Sequence, residues 1–77
     1  MTNSLDDLDM AFFEEAWDYL NREQLDLAKR IERLVSDGVE PAAIRRRVIQ
    51  TAGAHREAIA IRCENAAKYL YAIKQRA

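Results

Sequence analysis

One histidine, one cysteine and a cluster of arginines are the residues of this 77-residue chain whose types could support chemistry. Imidazole is a common general base and metal ligand, and a thiolate is a nucleophile when its surroundings lower the thiol pKa. His55 is not accompanied by a second histidine or by a Glu-x-x-His pattern, which a metal site in a helical bundle would need. We therefore expect no catalytic residue, no metal and no cofactor, and we predict a protein that is not an enzyme.

His55 and Cys63 instead occupy positions in an apolar stripe of helical period. If the chain folds back on itself, Gln24 faces His55, and a buried polar pair of this kind fixes register and orientation in helical bundles. Cys63 then faces Ala16, which offers no base, and free cysteine usually behaves as a small buried hydrophobe. We interpret Gln24 and His55 as a buried polar layer and Cys63 as a core residue.

Six basic residues near the middle of the chain form a candidate site for an anion or a partner. They are Lys29, Arg30, Arg33, Arg45, Arg46 and Arg47. Successive helical residues point about 100° apart, so at most two of the three adjacent arginines can serve one surface. A helix that begins nearby adds free backbone N–H groups, which attract anions. Phosphate, RNA or DNA could bind here, although a solvated, charged helix start explains the same residues without a ligand.

Two long helices are the elements that must position these residues. Apolar residues recur every three or four positions from Leu5 to Leu34 and again from Ile44 to Ile73, which is the period of one face of an α-helix. Gly38 suits the left-handed position that ends a helix, and Pro41 suits the first position of the next. We predict a single all-α domain, an antiparallel helical hairpin with a helix over about 4–37, a turn over 38–40 and a helix over about 41–76.

Two positions could interrupt these helices. A break near Asn21 would divide the first helix and give a three-helix bundle, which is the alternative architecture. Gly53 would lie inside the second helix, where glycine costs about 1 kcal/mol relative to alanine. The apolar register continues through both positions, and this continuity favours the unbroken hairpin.

A second apolar stripe flanks the first on both helices. Its residues are Met10, Phe13, Trp17, Ile49, Ala60, Ala67 and Tyr71. A lone hairpin cannot bury two stripes on each helix, and helical hairpins solve this by pairing. We predict that these residues form an oligomer interface and that two copies make a four-helix bundle; contact with a different protein is the alternative use of the same stripe.

Charge and composition exclude several function classes. A net charge of −1 and a pI near 5.8 give little attraction to a polyanion or an anionic membrane surface. The first twenty residues hold six acidic residues and no basic one, unlike a signal peptide, and no stretch approaches the roughly 20 apolar residues that span a bilayer. We therefore expect a cytoplasmic protein without a membrane partner.

The function expected from these features is binding without catalysis. A small, motif-free helical protein of this character suits a regulator, adaptor or inhibitor that self-associates and binds another protein, and it would suit a phage or mobile element whose protein blocks a host factor. The alternative is a binder of RNA, DNA or a phosphate ligand through the arginine-rich end. The two differ in their response to salt, because binding through phosphate contacts weakens steeply as salt rises.

Overall fold

The computed structural model describes residues 3–53 and 56–76, and the regular structure in those ranges is entirely helical. Four helices follow one another: α1 (Asn3–Glu23), α2 (Leu25–Ser36), α3 (Pro41–Ala52) and α4 (Glu57–Arg76). The all-α class is confirmed. The prediction of two long helices is wrong, because each of them is divided in two.

Gln24 is the single residue that separates α1 from α2. Its backbone leaves the helical region (φ −142°, ψ 61°), yet its N–H still donates to the carbonyl oxygen of Leu20 at 2.8 Å and its own carbonyl accepts from the N–H of Ala28 at 3.0 Å. Some of the backbone N–H and C=O groups at the two helix ends therefore have hydrogen-bond partners, although no loop joins the helices. Close by, Asn21 Nδ2 donates to the carbonyl oxygen of Trp17 at 2.8 Å, and such a local side-chain bond competes with the hydrogen bonds of the helix backbone.

Gly53 ends α3. Its backbone (φ 94°, ψ 161°) lies in a region that is open essentially only to glycine, and its N–H donates to the carbonyl oxygen of Ile49 at 2.8 Å. The predicted polar layer of Gln24 and His55 stays a prediction, because only one of its two residues is described. Gln24 occupies a helix junction instead of a position inside a continuous helix, and His55 lies outside the described residues.

The turn between α2 and α3 follows the prediction. Gly38 has a φ of 84°. Its N–H donates to the carbonyl oxygen of Val35 and the N–H of Val39 donates to that of Leu34, both at 3.0 Å, which is the Schellman pattern of helix termination. Pro41 then begins α3, where its missing N–H costs no helical hydrogen bond.

The central helix is α4, because α1, α2 and α3 all pack against it. The ion pair between Glu15 Oε1 and Arg62 Nη1, at 3.9 Å, joins α1 to α4. Nζ of Lys68 lies 5.5 Å from the centroid of the Phe13 ring. Phe13 precedes Glu15 in α1, whereas Lys68 follows Arg62 in α4. The two helices are therefore antiparallel.

The core lies where the other three helices meet α4. Its buried residues are Ala16, Leu20, Ala28, Ile31, Val35, Ile44, Ala60, Cys63, Ala66, Ala67 and Leu70. Ala60 and Ala67 were predicted to form an oligomer interface, but both are fully buried within the single chain. The breaks at Gln24 and Gly53 bring four helices of one chain together, so the chain itself covers part of the flanking stripe.

Phe12 and Ile73 depart from the predicted core. The apolar period places both on the inner stripe, yet their exposed fractions are 69% and 38%. The helices differ in length: α1 and α4 contain 21 and 20 residues, whereas α2 and α3 contain 12 each. The shorter pair leaves part of the longer pair uncovered.

Candidate functional site

A groove with an apolar floor opens between α2 and α3, and we call it the α2/α3 groove. It is lined by Leu27, Arg30, Ile31 and Leu34 of α2 and by Arg47, Val48 and Thr51 of α3. Its volume is about 200 Å³. Ile31 is fully buried, whereas the side chains of Leu27, Leu34 and Val48 are half-buried. The floor is therefore continuous with the core and open to solvent.

The groove exists because α2 has a wider apolar face than α4 covers. Ala28, Ile31 and Val35 are buried, while Leu27 and Leu34 flank that buried strip and line the groove. α2 and α3 make few contacts with each other, although each packs against α4. An apolar trough therefore remains along the line where two helices could have closed on each other.

Arg45, one of the residues predicted to bind an anion, instead forms ion pairs with two acidic residues of α4. Its Nη2 lies 3.0 Å from Oε2 of Glu57 and its Nη1 lies 3.4 Å from Oε1 of Glu64. Two carboxylates thus compensate the guanidinium charge, and the pairs join α3 to α4. Arg45 is best read as a structural residue.

The remaining basic residues separate into groups. Arg30 and Arg47 line the α2/α3 groove from opposite helices. Lys29 and Arg33 line a second, more polar cleft with Arg30 and Asp26 on α2. Arg46 is exposed on α3. The structure therefore brings Arg30 and Arg47 to one apolar site, a combination that the sequence pattern did not single out.

Part of the predicted oligomer interface has a role inside the chain. The hydroxyl group of Tyr71 donates to the carbonyl oxygen of Val39 at 2.7 Å, which ties α4 to the turn between α2 and α3. Trp17 packs against the core. Met10, Phe13 and Ile49 are partly exposed, and their contact with another molecule stays a prediction.

Cys63 is enclosed in the core, as predicted. Its exposed fraction is 0%, and burial raises the pKa of its thiol from 9.0 to about 11, although the charge of Arg56 acts in the opposite direction. The thiol is therefore protonated near neutral pH and is not a nucleophile.

Within residues 3–53 and 56–76, no three side chains of His, Cys, Asp or Glu lie where they could share a metal ion. Over the same residues, the helices are too short or too polar to cross a membrane.

Comparison of the chain with protein-family models, with curated proteins and with solved structures gives no match. The geometry and charge of the α2/α3 groove are therefore the basis on which a function can be proposed.

Proposed function

We propose that this protein is a small, non-enzymatic binding module whose α2/α3 groove accepts an amphipathic helix of a partner protein, with acidic residues beside the apolar face of that helix. One observation carries the proposal: a single groove combines an apolar floor with an arginine from each of its two helices. Helix-in-groove recognition uses apolar anchors at i, i+3, i+4 and i+7. A regulator, adaptor or inhibitor could act in this way.

The dimensions of the groove suit such a ligand. A dry cavity of roughly 150 Å³ accommodates a benzene molecule, so about 200 Å³ accepts one or two apolar side chains and not a whole helix. From Leu27 to Leu34 the floor extends about 10 Å along α2, at 1.5 Å per residue. A partner helix lying across this length would therefore insert anchors from two successive turns.

The two arginines suit the flanks of the same ligand. Arg30 and Arg47 are exposed, so each pair with a carboxylate would contribute at most about 1 kcal/mol. Charged residues at the rim determine specificity and association rate more than affinity, whereas burial of the apolar anchors supplies most of the binding free energy. The proposed partner is therefore apolar on one face and acidic beside it.

Fluorescence anisotropy with a designed peptide tests this proposal. The probe is a labelled helix of about 14 residues, or four turns, with leucine at the anchor positions and glutamate on both flanks. The matched control peptide has lysine in place of each glutamate. We expect the acidic peptide to bind with a dissociation constant on the order of 10 µM and the lysine peptide to bind at least tenfold more weakly.

Protein variants locate the binding. The double substitution Arg30→Glu with Arg47→Glu should reverse the preference between the two peptides, because it inverts the charge of the rim. Arg46→Glu is the matched control: it changes an adjacent exposed arginine and should leave both affinities unchanged.

Two results would contradict the proposal. One is a failure of the peptide assay, in which the acidic and lysine peptides bind with equal affinity or neither of them binds. The other is binding of a generic RNA oligonucleotide that Arg33→Glu and Arg46→Glu abolish, with a log–log salt slope of roughly −3 to −5. That second outcome would favour the nucleic-acid alternative.

A further inference from the structure

We infer that a second copy of this chain occupies the α2/α3 groove with the acidic start of its α1, so that two copies exchange these segments. The segment comprises residues 3–12, and we call it the α1 tip. This inference rests on the proposed function, because it requires a groove that accepts an acidic amphipathic helix. It adds the identity of one such helix.

The α1 tip has the composition that the groove requires. In the sequence, Leu5, Leu8 and Phe12 follow the spacing i, i+3 and i+7, which is the pattern of an amphipathic helix, and the backbone of α1 is helical from Asn3 onward. The tip contains three aspartates and no basic residue. Apolar anchors with adjoining carboxylates are the pattern proposed above for the ligand of the groove.

Phe12 shows that apolar surface is still uncovered at this end of the molecule. Its exposed fraction of 69% is the largest among the exposed large hydrophobic residues of the described chain. The α2/α3 groove also exposes apolar surface, from Leu27, Leu34 and Val48. Contact between tip and groove would remove both surfaces from water in one interface.

The tip cannot fill the groove of its own chain. Over the described residues, α1 contacts α4 and α2 and makes no contact with α3. The pair between Glu15 Oε1 and Arg62 Nη1, at 3.9 Å, lies between α1 and α4. Because α1 does not contact α3, the helix that occupies the groove in this inference comes from a second molecule.

Exchange between two copies gives a closed assembly. Each copy has one tip and one groove, so reciprocal docking creates two equivalent interfaces and leaves no unpaired surface for a third copy. The acidic tip meets Arg30 and Arg47, and charges of opposite sign favour this orientation. In this dimer the tip competes with any partner helix for the groove, so a partner must displace the second copy.

Charge exchange followed by sedimentation equilibrium tests the inference. In the groove variant, Arg30→Glu with Arg47→Glu, the groove becomes acidic like the α1 tip. In the tip variant, Asp6→Lys with Asp9→Lys, the α1 tip becomes basic like the groove. We expect wild type to dimerise and each variant alone to dimerise at least tenfold more weakly. An equimolar mixture should regain the dimer, because every tip then meets a groove of opposite charge.

Two controls separate charge placement from loss of folding. Asp18→Lys with Arg22→Glu exchanges charges on exposed residues of α1 outside the tip, and this variant should keep the wild-type mass. Circular dichroism should show unchanged helix content in all variants. Phe12→Ala changes no charge and should also weaken the dimer at least tenfold.

The outcomes distinguish this inference from the proposed function. The inferred exchange of α1 tips is refuted if the wild-type chain stays monomeric, or if the equimolar mixture of groove and tip variants does not regain the dimer. If such a chain still binds the acidic peptide, the proposed function stands without the exchange. If the exchange is correct, the tip variant should bind the peptide more tightly than wild type, since no second copy competes for its groove; failure to bind the peptide at all would refute both.

Discussion

Gly53 decides whether the second half of the chain is one helix or two, and Gly53→Ala tests which is present. In the structure its φ of 94° and ψ of 161° would cost a residue with a Cβ atom on the order of 1–3 kcal/mol. In a continuous helix the same substitution would raise stability by about 1 kcal/mol, because alanine is the better helix former. The two architectures therefore predict opposite signs.

Urea unfolding followed by circular dichroism measures that sign. We expect Gly53→Ala to lower the free energy of unfolding by about 1–3 kcal/mol, and each kcal/mol lowers the melting temperature of a domain of this size by about 4–8 °C. Gly38→Ala is the matched control, because both architectures place Gly38 at a positive φ and predict a loss. A Gly53→Ala protein that is more stable than wild type would refute the four-helix structure.

Further predictions concern the core, the α2/α3 turn and pH. Ala67→Leu should lower the free energy of unfolding by about 1–3 kcal/mol because it overpacks a fully buried site, whereas Ala58→Leu at an exposed site should change it by less than about 0.5 kcal/mol; urea titrations compare them. Tyr71→Phe removes the hydrogen bond to Val39 and should cost about 1 kcal/mol in the same assay. The pKa of Cys63 is raised from 9.0 to about 11 by burial, so above pH 9 the unfolded chain loses this proton first. The free energy of unfolding should then fall between about pH 9 and pH 11, with a smaller decline in Cys63→Ala.

The features that could be predicted from the sequence depend on local signals or on a clear apolar face. Gly38 and Pro41 define the turn between α2 and α3 through backbone conformation alone. Leu20, Ile31 and Ile44 lie at the centre of apolar stripes, and all three are fully buried. A residue at the centre of an apolar stripe is buried in the predicted two-helix hairpin and in the observed four-helix structure alike.

The helix breaks could not be predicted in the same way. A one-residue junction at Gln24 leaves the apolar period on both sides intact, so the pattern looks continuous. Gly53 was a visible weak point, but its helical cost of about 1 kcal/mol is small beside the burial gained by tertiary packing. Periodicity also does not specify which chain covers an apolar face, and for this reason Ala60 and Ala67 were assigned to a second copy.

The candidate site was predicted in part. The basic set contained Arg30 and Arg47, but only the fold shows that these two share an apolar groove. The pairs of Arg45 with Glu57 and Glu64 bring together residues of different helices, and no local pattern indicates them. Tertiary packing therefore determines which residues of the larger basic set share one groove.

The central claim, that the α2/α3 groove is the binding surface, is tested most directly by NMR. The ¹⁵N-labelled Asp6→Lys, Asp9→Lys variant, whose groove no second copy should occupy, is titrated with the unlabelled acidic amphipathic peptide. We predict that the largest backbone amide shift changes follow the groove, over residues 27–34 of α2 and 47–51 of α3. Changes confined to the exposed face of α4 around Ile61, or no changes at saturating peptide, would contradict the claim.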